Sequence, residues 1–76
     1  MLQTDELAAK ISDRLVAIFA ELEGTIRLVE NEEPAELKTY RQAIGRVCGA
    51  LVLDVMAPLY KSHPTIKPAS WADVEL

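Results

Sequence analysis

A single histidine, His63, and a single cysteine, Cys48, are the residues of this 76-residue chain best suited to metal ligation or nucleophilic attack. Neither has the company such chemistry needs. A zinc site on His63 would have no second His or nearby Cys and would need carboxylates alone to complete it, so His63 is expected at a helix end, facing solvent. Cys48 would act as a nucleophile only beside a base in an exposed, electropositive setting, yet its neighbours on a helical wheel are Ile44, Val52 and Val55. It reads as a core thiol. Glu30, Glu32 and Glu33 lack the spacing of a calcium loop and are expected to form a solvated acidic turn. The Glu-x-x-His pattern of di-iron bundles, a P-loop and a dinucleotide glycine fingerprint are absent. No catalytic residue, cofactor site or metal site is assigned. One constellation, Tyr40, Arg41, Arg46, Asp54, Tyr60 and His63, would line a ligand or enzyme site only if a subunit junction brought it together.

Composition limits what can position these side chains. The chain fits one small domain, residues 1–76, and domains of this size need disulfides, a metal, oligomerisation or unusually regular helix packing to stay folded. One cysteine excludes an internal disulfide framework and points to a reducing compartment, the cytoplasm. A formal charge of −4, with eight scattered Lys and Arg, argues against nucleic acid, which requires clustered positive charge. The N-terminus lacks a basic region followed by an apolar one and does not read as a secretory signal. The apolar run from Val47 to Tyr60 is shorter than the ~20 residues of a spanning helix and contains Asp54 and Pro58, so no membrane is expected.

Apolar periodicity predicts two long helices and a tail. The first spans about 4–29, with Thr4 as N-cap and Asp5 and Glu6 in the first turn, where the helix dipole favours anions. Its seam is Ala8, Ile11, Leu15, Ile18, Leu22, Thr25 and Val29, widened by Leu7, Phe19 and Ile26. Lys10, Asp13, Arg14, Glu21 and Glu23 fall outside that arc and read as solvated, and Gly24 as a tolerated weak spot. Residues 30–33 form the turn, with Asn31 suited to a left-handed helix end and Pro34 to the first turn of the next helix.

The second helix is predicted over about 34–62, with Pro58 causing a kink or an early end. From Ile44 onward its apolar positions cover roughly 240° of the circumference, more than one partner helix can bury. Leu51 and Val55 are assigned to the first helix and Gly45, Gly49, Val52, Leu53, Met56 and Tyr60 to a dimer or partner interface, where the paired glycines would let another backbone approach, with the exchange of the two faces as the alternative. Arg46 and Asp54 mark the narrow solvated edge. In the tail, 63–76, Pro64 and Pro68 favour an extended path, Ser70 and Asp73 suit a last capped turn, and Trp71 is the candidate anchor, on the bundle or in a partner's pocket.

The expected protein is therefore all-α: an antiparallel helical hairpin dimerising into a four-helix bundle, with an extended proline-containing tail. Its expected role is noncatalytic, acting through self-association and protein binding as a small regulator, adaptor or chaperone. The alternatives are a small enzyme or ligand-binding bundle with a site at the subunit junction, and an obligate subunit of a hetero-oligomer. Shape alone does not select among them.

Overall fold

The computed structural model describes residues 2–71, which are all-α, with no strand among them. Helix α1, Asp5–Glu32, starts where the sequence predicts: the Thr4 side chain accepts a 3.2 Å hydrogen bond from the Leu7 amide, and Asp5 and Glu6 occupy the first turn. It runs three residues further than predicted. Asn31 stays helical, and the break falls on Glu33, at φ −140° and ψ 66°. The reason is steric, because the proline ring of the following residue disfavours the helical region for the residue before it. His63, which precedes Pro64, stops the second half of the molecule in the same way, at φ −134° and ψ 69°.

After a 3₁₀ turn, Pro34–Glu36, a second rod runs back along α1. It consists of α2, Leu37–Ala50, a π-helical segment, Leu51–Met56, and α3, Ala57–Ser62. Pro58 neither ends nor breaks it. A proline cannot donate to the carbonyl four residues back and its ring crowds that carbonyl; the wider π turn just before it relieves this, with the Ala57 amide donating to the Val52 carbonyl five residues back. One residue is thereby absorbed per turn beyond the α-helical count. The face that α2 turns to α1 is displaced accordingly, and Met56, Leu59 and Tyr60 arrive against α1.

The fully buried apolar side chains are Ala8, Met56, Leu59 and Tyr60, with Leu15, Val16, Leu51, Val52, Ile66 and Trp71 packed around them. On α1 the inward positions are Ala8, Ser12, Leu15, Phe19, Leu22, Ile26 and Val29, a strict alternation of four- and three-residue steps. Ala8, Leu15, Leu22 and Val29 keep their predicted place, with Phe19 and Ile26 beside them, but Ile11 and Ile18 remain 36% and 48% exposed while Ser12 is buried. Small residues at 8 and 12 leave room for the Tyr60 ring, and the Ser12 hydroxyl meets its phenol.

Over its described residues, 63–71, the tail is not a simple extended strand. It forms two 3₁₀ turns, Pro64–Ile66 and Ala69–Trp71, the second closed by the Trp71 amide on the Pro68 carbonyl at 2.9 Å. Asp73, expected to help cap a last turn, lies outside the described residues. The molecule measures 44 × 20 × 16 Å with a radius of gyration of 14.3 Å, against about 11 Å for a compact domain of this length.

Candidate functional site

Among the described residues polar links join the rods at three heights. Tyr40 donates to the Thr25 hydroxyl at 2.7 Å, and Thr25 donates in turn to the Leu22 carbonyl at 2.6 Å. Near the other end Ser12 and Tyr60 share a 2.6 Å bond. At that end His63 Nδ1 lies 2.5 Å from Asp5 Oδ1, and Nε2 lies 3.1 Å from the Leu2 carbonyl oxygen. His63 is thus buried, not solvent-facing, because the pre-proline turn folds its ring onto the start of α1. Both named partners accept hydrogen bonds, so a ring protonated on both nitrogens satisfies both.

These links disperse the residues of the alternative site. Tyr40, Tyr60 and His63 each hold α1 at a different level, while Arg41, Arg46 and Asp54 are exposed. Arg41 borders a broad surface hollow with Glu23, Gly24, Arg27 and Glu30, where opposite charges face water and no nucleophile points inward. Among the described residues no group of three or more His, Cys, Asp or Glu is placed to hold a metal. Cys48 is half-buried.

The residues assigned to the interface separate into two groups. Met56 is 0% exposed and Tyr60 4%, both turned toward α1 by the π segment, so within this fold they have no surface to offer a second copy. Val52 packs half-buried against the same core. Leu53 stays 69% exposed, Gly45 is exposed and Gly49 half-buried, and a Cβ placed on either glycine would meet nothing within 4 Å. Among the described residues no backbone approaches the pair. Trp71 packs against the core and meets Phe19 edge to face, with ring centroids 5.2 Å apart at 79°.

A different line of side chains stays open to solvent. Among the described residues seven large apolar side chains remain exposed, and four of them, Leu7, Ile11, Ile18 and Leu28, share one stripe of α1. The stripe runs 7, 11, 14, 18, 21, 28, a second heptad seam offset by one position from the buried one, its remaining position held by half-buried Thr25. Val47, 51% exposed, belongs to the same side of the molecule: it lies seven residues from Tyr40, as Ile18 lies seven from Thr25, and Tyr40 and Thr25 are bonded to each other. The 4–3 spacing was visible in the sequence. Apolar periodicity puts Ile11, Ile18 and Thr25 in the buried seam and Leu7 beside it, with Arg14 and Glu21 solvated.

No protein family, curated protein or solved structure matches the chain. By length and composition the rod Pro34–Ser62 is apolar enough to cross a membrane, with a mean hydropathy of 1.5 over 18 residues. The core helix of a water-soluble protein meets the same criterion.

Proposed function

We propose that this chain is a noncatalytic helical hairpin that pairs with a second copy into a four-helix bundle and acts by binding another protein, as a small regulator, adaptor or chaperone. The carrying observation is the second heptad seam of α1, whose apolar members lie open beside Val47. Four large apolar side chains left open along one side of a helix mark a surface suited to a partner. The slender shape adds support: the accessible surface is 5571 Å², roughly 1,000 Å² more than a compact 8.4 kDa protein presents. A bundle of two hairpins would cover that excess. Sedimentation and light scattering of the purified chain test the reading. Twice the chain mass, with a melting temperature that rises with concentration, supports it. A well-folded monomer at every accessible concentration overturns it.

The hydropathy of the Pro34–Ser62 rod favours a second reading, attachment to a membrane. Insertion would require Met56, Leu59 and Tyr60 to leave α1 and would carry Arg46 and Asp54 into hydrocarbon, at a cost of several kcal/mol. Flotation with phospholipid vesicles separates the two, since the bundle stays at the bottom of the gradient.

A further inference from the structure

The exposed stripe of α1 is self-complementary. At seven-residue steps it carries Leu7, Arg14, Glu21 and Leu28, an order that reads apolar, positive, negative, apolar. Lay a second α1 antiparallel across the first, with a two-fold axis crossing between Ala17 and Ile18. Each Leu7 then meets the partner's Leu28, and each Arg14 meets the partner's Glu21. A parallel arrangement would instead set Arg14 against Arg14 and Glu21 against Glu21. The contact would run about 32 Å, the length of 21 helical residues.

We infer that the seam of the homodimer is this stripe, α1 antiparallel to α1, and not the glycine face of α2. The inference rests on the self-association proposed above and assigns its surface and direction. Three further observations agree with it. Ile18 lies at the axis and meets its own copy. A shallow, mainly apolar hollow bounded by Asp13, Arg14, Ala17 and Ile18 lies on the axis. The roughly 1,000 Å² of excess surface also compares with the ~800 Å² that each partner buries in an interface of standard size.

Isologous symmetry makes the pairing testable, because every substitution enters the interface twice. Arg14→Glu alone and Glu21→Arg alone each replace two attractive pairs with two repulsive ones, and each should weaken dimerisation about tenfold or more. The double swap, Arg14→Glu with Glu21→Arg, restores both pairs and should return the dissociation constant to within a few-fold of the parent. Both positions are exposed, so helix content by circular dichroism should stay constant across the set. As a second readout, Ile18→Cys in a Cys48→Ser background should oxidise rapidly to a disulfide-linked dimer, and Gly45→Cys in the same background should not. A dimer that tolerates both single swaps, or that cross-links through position 45 and not 18, overturns this seam and leaves self-association standing. A monomer throughout overturns both.

Discussion

Ser12 and Tyr60, 48 positions apart in the chain, share a 2.6 Å hydrogen bond between hydroxyls in the most buried part of the molecule. Ser12 is 1% exposed and Tyr60 4%, so neither oxygen has water as an alternative partner. The pair fixes the register of the two rods, since sliding one past the other would strand both groups in an apolar core.

Removing one partner is expected to cost more than removing both. Ser12→Ala leaves the Tyr60 phenol without its partner and should destabilise by about 1–3 kcal/mol; Tyr60→Phe should cost less, because a helical serine can turn back to the carbonyl four residues earlier. Denaturant titrations of the singles and the double complete a thermodynamic cycle. Strictly additive losses would show that the bond contributes no coupling.

Met56 and Leu53 are three positions apart and differ most in environment, 0% against 69% exposed. Met56→Ala should cost roughly 2–5 kcal/mol, which for so small a domain approaches its whole stability. Leu53→Ala should stay within about 0.5 kcal/mol. Equal effects would mean that the π segment does not turn Met56 inward.

Trp71 should report on the tail. Packed on Phe19, it is expected to emit at shorter wavelength than free tryptophan, and Phe19→Ala should shift the emission to the red. Trp71→Ala should destabilise by about 1–2 kcal/mol, less than a full core truncation because the ring is half-buried. Emission at the water-exposed wavelength in the folded parent would reject the docked tail.

Gly45→Ala discriminates between faces. With open space at the Cβ position and a helical backbone, alanine should raise stability by up to about 1 kcal/mol. If another backbone packed there, the same substitution would loosen the dimer instead.

The punctuation of this fold is local, and local chemistry shows in a sequence. Thr4 starts α1, Pro34 starts the second rod, and the two pre-proline residues end the helices where backbone sterics demand. The choice between two adjacent stripes of α1 is not local. Apolarity favours Ile11 and Ile18 over Ser12, and only a tyrosine brought from 48 positions away makes a serine the better core residue. Pro58 announces a disturbance in the second helix, but whether the backbone kinks, stops or widens depends on what α1 offers in return. That outcome decides the placing of Met56 and Tyr60, and with it which surface is left for a partner. His63 follows the same logic, its ring turned inward by Pro64 onto an aspartate at the far end of the chain.

The core lies at the open end of the paired rods, away from the connecting turn. Ala8, Ser12, Met56, Leu59, Tyr60 and His63 are buried there, whereas α2, which leaves the turn, contains no fully buried residue. The chain therefore cannot be stabilised by zipping outward from its tightest bend. Its decisive contacts close a loop of nearly fifty residues, and the entropy of that closure is met before any buried surface is gained. Folding should be slower than helix content alone suggests. Amide exchange in the native state should run in a gradient, fastest near Glu33, where the connection is shortest, and slowest at Leu59, where the two ends of the molecule hold one another shut.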